Sequence, residues 1–196
     1  MPAAVDALVA GSTTRPRADA QRNFQRLVTA ARAAVDEQGL GVTTREIAHR
    51  AGVGLGTLYR RVPSLDALVT AILADAIDEM TAQAARALDD PDPWQAFADF
   101  AEVFVRVRAS SRGLHAALSG AAGLGLDEQV GRLQEALRAL ICRAQAAGTI
   151  RADVDWPDVV FALATAIPAA RTLELAARAD QWRRNLSIII TGLRSS

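Results

Sequence analysis

The residues best suited to chemistry in this 196-residue chain are Leu55, Gly56, Thr57, Tyr59, Arg60 and Arg61, which combine hydroxyls, guanidinium groups, a bare backbone and one apolar side chain in a single short run. Hydroxyl donors suit phosphate oxygens. An arginine fork pairs with guanine through two hydrogen bonds, discriminating against a wrong base by about 1 to 3 kcal/mol. Leu55 either packs on a neighbour or meets a thymine methyl. This is the chemistry of recognition. The rest of the chain offers no nucleophile with a nearby base, no paired carboxylates in a plausible pocket and no Gly-rich phosphate loop, so an enzyme is the weakest reading and no cofactor is expected. Cys142 is the only cysteine, and it and the two histidines, His49 and His115, cannot compose the usual zinc site. No metal is expected, and a lone cysteine fits a reducing cytoplasm, with Cys142 read as a small buried hydrophobe.

For these side chains to enter a major groove about 12 Å wide, two short helices must be fixed at a steep angle, the second reading and the first bracing it. The run from Thr43 to Val62 meets that need. Thr43-Thr44-Arg45-Glu46 forms a capping box, in which the threonine hydroxyl takes the third amide and Glu46 reaches back. Ile47, Ala48 and Ala51 then face inward, Gly52 allows a left-handed turn, and Val53 and Leu58 complete the apolar pins. Pro63 stops the second helix. Ahead of this pair, Phe24, Leu27, Val28, Ala31 and Val35 recur at helical spacing from Ala18 onward, and Gly39 sits where a C-terminal cap belongs.

Charge supports an approach to a polyanion from this end. Residues 15 to 62 hold nine arginines against four carboxylates, whereas residues 63 to 196 hold thirteen against seventeen, although the whole chain is neutral. Residues 1 to 17 lack apolar periodicity and read as a disordered basic tail, whose Arg15 and Arg17 either stay uninvolved or touch the duplex.

The sequence Thr44-Arg45-Glu46-Ile47-Ala48-His49-Arg50-Ala51-Gly52-Val53, followed by Gly56-Thr57-Leu58-Tyr59, resembles the signature of the TetR family of bacterial repressors. The resemblance runs from the first helix through Leu68. It implies that Thr44, Thr57 and Tyr59 contact phosphates and that Arg45, Leu55, Gly56 and Arg60 lie at or near base edges. Two positions depart from the family pattern. Arg61 and Val62 stand where His-Phe is common, and Leu65 stands where a lysine often anchors phosphate, leaving Arg61 to supply that charge. The resemblance further implies a double-stranded DNA operator, a small-molecule effector bound by the later helices and a homodimer formed through the last two.

Beyond Pro63 the pattern continues as helices only, for an all-α fold of about nine. Ser64 caps a long helix to about Leu88, and Asp92 with Pro93 opens one that carries Trp94, Phe97, Phe100 and Phe104. That stripe lines an aromatic pocket or is ordinary core. Another helix spans Ser110 to Ala122 and holds His115, either a satisfied histidine or an effector contact. Val159 to Ala177 reads as one buried helix that Pro168 should kink, shaping a cavity or merely curving the helix. The last helix runs from Asp180. Val159, Leu163, Ile167, Trp182, Leu186, Ile189, Ile190 and Leu193 form the expected seam of a four-helix interface with a second copy. The domains expected are 18–63 for DNA and 64–196 for effector binding and dimerisation. No apolar run approaches the roughly 20 residues of a membrane span, and no membrane partner is expected.

Overall fold

Runs rich in alanine and leucine, punctuated by glycine and proline, fold as helices throughout. The computed structural model describes residues 3–10, 18–60, 62–120 and 123–195. In chain order the helices are α1 (Ala3–Ala10), α2 (Ala18–Gln38), α3 (Thr44–Ala51), α4 (Leu55–Tyr59), α5 (Leu65–Ala87), α6 (Pro93–Ser110), α7 (Arg112–Leu118), α8 (Asp127–Ala146), α9 (Trp156–Ala164) and α10 (Gln181–Leu193). A two-stranded antiparallel hairpin, β1 (Arg171–Thr172) and β2 (Leu175–Ala176), interrupts the otherwise all-α order. Among the described residues no helix is long and apolar enough to cross a membrane.

Two compact units result, one of Met1–Asp78 with Ser110–Gln129 and the other of Glu79–Ala109 with Val130–Ser196. They do not divide at the expected boundary after residue 63. The first unit keeps the first half of α5 and recruits α7. In it, α2 buries Phe24, Leu27, Ala31, Ala34 and Val35, the face that its apolar periodicity marks out. Helix α7 lies against α2 so closely that a Cβ built on Gly113 would fall 2.2 Å from Val35 Cγ1 and 3.1 Å from the Val35 carbonyl oxygen.

The N-terminus differs from the expected disordered tail. Residues 3–10 are helical, and Val5 is buried. The buried carboxylate of Asp75 on α5 accepts the Ala4 amide at 2.8 Å and the Val5 amide at 3.3 Å. Eight residues are too few for an independently stable helix, so this cap from 70 residues away decides the outcome. Arg15 and Arg17 lie outside the described residues.

The second unit is built on α6 and α8, which bury Phe97, Phe100, Ala101, Phe104 and Val105 on one and Leu133, Leu137, Leu140 and Ile141 on the other. Helix α9 opens with a capping box of Asp155 and Asp158 and a proline in its first turn. It is much shorter than the expected helix of 159–177. Its C-cap is Thr165, three residues before Pro168, which can donate no amide and disfavours helical backbone at Ile167. Pro168 therefore ends helical structure here rather than kinking it, and the chain turns into the hairpin.

The angle between α3 and α4 is set at Gly52, whose φ of 63° and ψ of 36° are left-handed. The Gly52 amide donates to the carbonyls of Ala48 and His49, and the Val53 amide to Ala48 at 3.0 Å. The nearest foreign atom to a Cβ at Gly52 would be Arg26 Nη1 at 4.0 Å, so space is ample and conformation alone demands glycine. Gly52→Ala should therefore cost about 1 to 2 kcal/mol of unfolding free energy, and Gly52→Asn less, by chemical denaturation. At Gly113 the opposite holds. Alanine there gains up to about 1 kcal/mol of helix propensity but meets an overpacking cost of about 1 to 3 kcal/mol, so Gly113→Ala should lower the melting temperature. A melting temperature at or above that of the parent would refute the close α2–α7 contact.

Candidate nucleic-acid interface

Helix α3 begins at Thr43, whose extended backbone lets Oγ1 accept the Glu46 amide at 3.3 Å. Glu46 does not complete the expected capping box. Its carboxylate accepts instead from Arg50 Nη2 at 2.9 Å and from the side-chain amide of Gln38. Arg50 Nη1 also reaches Glu37 at 2.7 Å, tying α3 to α2. The hydrogen bond to Glu37 is the main cause that holds the Arg50 guanidinium above its ordinary pKa, with burial opposing and Glu46 assisting. Arg50 is thus a brace, its charge already answered by two carboxylates.

Helix α4 is anchored by one fully buried side chain, Leu58. With Leu58 turned inward, the 3.6-residue period turns Gly56, Tyr59 and Arg60 outward, and Leu55 is exposed as the first residue of the helix. Leu55 is 42% exposed and Tyr59 58%. Thr57 is half-buried, and its Oγ1 lies 3.5 Å from Arg60 Nη2, at the long limit of a hydrogen bond. On α3, Thr44 is the half-buried first residue and Arg45 is exposed, with no ion pair among the described residues. His49 is also exposed. The predicted residues of this group are thus held on one helix–turn–helix, except Arg61, which lies outside the described residues.

Sequence reasoning passed over a neighbouring feature. A groove along α2 and α3 is lined by Arg22, Arg26, Thr29 and Arg50 over a floor of Ala30 and Ala51. The signal was available, since arginines four apart on α2 fall on one face.

In the second unit the expected effector stripe is largely interior. Phe97, Phe100 and Phe104 are buried, with Phe100 and Phe104 ring centroids 6.5 Å apart. Trp94 is half-buried, 6.1 Å from Phe97, and carries Arg194 over its ring at 4.9 Å. One turn past Phe104 the stripe ends in a residue not anticipated, Arg108, which is buried with its guanidinium 5.2 Å from the Phe104 ring. Burial pushes its pKa down. His115 is half-buried on α7 in the first unit, and Pro168 is half-buried beyond α9. Among the described residues no cluster of His, Cys, Asp and Glu could hold a metal ion.

The expected seam divides into two faces. Val159, Leu163, Leu186 and Leu193 are buried within the protomer, where they pack α9 and α10 into their own core. Ile167, Trp182, Ile189 and Ile190 are half-buried. The apolar side chains that face outward are others, Phe161 and Ile188, each 72% exposed. Cys142 corrects the reading made of it in the same way, since it is exposed.

Comparison with known proteins agrees with this architecture. The sequence profile described as bacterial regulatory proteins, tetR family, matches residues 27–72, and that of the SbtR-like transcriptional regulator C-terminal domain matches residues 92–195. No curated protein sequence matches significantly. A TetR transcriptional regulator of Streptomyces coelicolor is 30% identical, with 88% of this chain and 98% of that one covered and a TM-score of 0.64. The TetR transcription regulatory protein of Mycobacterium vanbaalenii is 34% identical over 91% of this chain and 98% of its own, with a TM-score of 0.61. A gamma-butyrolactone receptor, an ArpA-like protein, shares the fold at 22% identity, covering 91% and 90% of the two chains with a TM-score of 0.68. Since one profile alone spans residues 92–195 and two relatives reach 30% and 34% identity over most of the chain, this protein belongs to the TetR family of DNA-binding transcriptional regulators, not to a family of enzymes.

Proposed function

We propose that the protein is a cytoplasmic repressor that binds a palindromic operator as a homodimer and is released by a small-molecule effector. The observation that carries the DNA contact is the outward face of α4, where Tyr59 and Arg60 are held exposed by the burial of Leu58 and Leu55 is exposed at the helix start. Thr44, Thr57 and Tyr59 would donate to phosphates and fix register. Arg45 and Arg60 would read base edges, Leu55 would meet a thymine methyl, and Gly56 would let the backbone come close. Arg61 would supply the phosphate charge that Leu65 cannot. Two copies must present their α4 helices about one turn of B-DNA apart, roughly 34 Å, which is why the operator should be a palindrome.

The contact between copies would lie on the outward face of α9 and α10, around Phe161 and Ile188. Ile188 is flanked by exposed Ser187, Thr191 and Gly192, small enough for two helices to approach closely. Effector release would act through the α6 stripe, whose buried Phe100 and Phe104 with Arg108 combine an apolar wall with one strong donor.

Retention of a palindrome from the protein's own promoter region in a low-salt mobility shift tests the reading, and failure to retain any such duplex counts against it. Arg60→Ala should weaken the specific site by about 1 to 3 kcal/mol and relax preference at one base pair, whereas Arg61→Ala should lower the salt slope by about one. An unchanged slope removes Arg61 from the interface. Ile188→Asp should shift sedimentation from dimer to monomer with the melting temperature of the protomer little changed. A dimer indifferent to that charge would place the contact elsewhere.

A further inference from the structure

The hairpin between α9 and α10 is built in a way that solvent alone does not explain. Thr172 pairs with Leu175, so Leu173 and Glu174 form a two-residue turn, with φ of 49° and 63°. Both central positions are left-handed, a conformation that Asn-Gly or Gly-Gly adopts readily and that leucine and glutamate adopt only at a cost. Strands of two residues cannot repay it, and the clamp from Arg171 Nη2 to Glu174 at 2.6 Å is a solvent-exposed ion pair of small net value. The tip also holds Leu173 91% and Leu175 74% exposed. Strain of this kind persists where further contacts over-determine it.

We propose that the hairpin is an intersubunit arm, its Leu173 tip seated on the second unit of another copy of this chain, in the groove between α6 and α10. This rests on the dimer proposed above. The groove, about 330 Å³, has Trp182, Leu186 and Ile190 as its apolar floor, and Asp99, Glu102 and Arg183 as its charged lining, with the Arg183 guanidinium over the Trp182 ring. Its chemistry complements the arm, which offers apolar Leu173 and Leu175 followed by Arg178, exposed and without an ion-pair partner among the described residues. Glu102 is likewise exposed without one. The arm leads directly into α10, on which Ile188 is exposed, so a copy seated there extends the same contact face.

The full-length protein tests this by sedimentation and by crosslinking. Leu173→Asp should raise the dimer dissociation constant on the order of tenfold or more, and Arg178→Glu should weaken the dimer and be rescued by Glu102→Arg in the same chain. Replacing Leu173→Asn and Glu174→Gly together relaxes the turn, so the protomer should become more stable while the dimer weakens, a split that a purely structural hairpin would not give. In a Cys142→Ser background, Leu173→Cys with Ser187→Cys should form a disulfide between copies under mild oxidation. A parent protein that is monomeric at micromolar concentration overturns the dimer and the arm together. A dimer that Ile188→Asp dissociates but that ignores Leu173→Asp, or that forms no crosslink, overturns the arm alone.

Discussion

The left-handed turn at Gly52, with the Ala48 carbonyl accepting from both Gly52 and Val53, is the constraint on which the recognition surface depends. Helix α4 has only five residues and cannot hold its own geometry. Its direction comes from that turn and from Leu58, which is buried completely. Given those two restraints, the exposure of Tyr59 and Arg60 is a matter of helical period, and that of Leu55 of its place at the start of the helix.

Electrostatics sorts the basic residues of this unit by role. Arg50 is answered by Glu37 and Glu46, and Arg32 lies 3.3 Å from the carboxylate of Asp75 that also caps α1. These arginines hold the scaffold, and a net local excess of positive charge therefore overstates what can meet a duplex. Among the described residues no carboxylate pairs with Arg45 or Arg60, and both are exposed. Charge counted along a chain measures a supply; pairing decides how much of it is presented.

How much of this was legible in the sequence depends on the reach of the interactions involved. The helix–turn–helix rests on local signals, since Thr43 caps within four residues, Gly52 turns within one, and the buried positions of α2 and α3 follow a 3.6-residue period. These were read correctly, down to Ala48 and Leu58. The helix α1 was missed because its stabiliser, Asp75, lies 70 residues away, and an acidic residue inside α5 looks like any solvated carboxylate. Glu46 was assigned to a capping box because the spacing allows it. Arg50 and Gln38 compete for the same oxygen, and two charged or amide donors outbid one amide. The end of α9 at Thr165 was hidden by apolar composition that resumes after that one threonine and continues to Ala170, where only Pro168 signals a stop.

The division of the expected intersubunit seam between buried and half-buried positions has a more general cause. A helix with apolar residues on two sides offers two candidate faces, and periodicity finds both without ranking them. In α10 the positions seven apart, Leu186 and Leu193, satisfy the protomer's own core, and the position between the polar residues, Ile188, is left outside. Isolated apolar side chains on a surface are ordinary. What distinguishes this region is the company that Ile188 keeps: Phe161, Leu173 and Leu175 are exposed on the same compact unit, and the last two stand on a turn that costs free energy to form. A surface that exposes leucine and strains the backbone to do so is one that a further contact would stabilise, and the second copy proposed above would supply that contact.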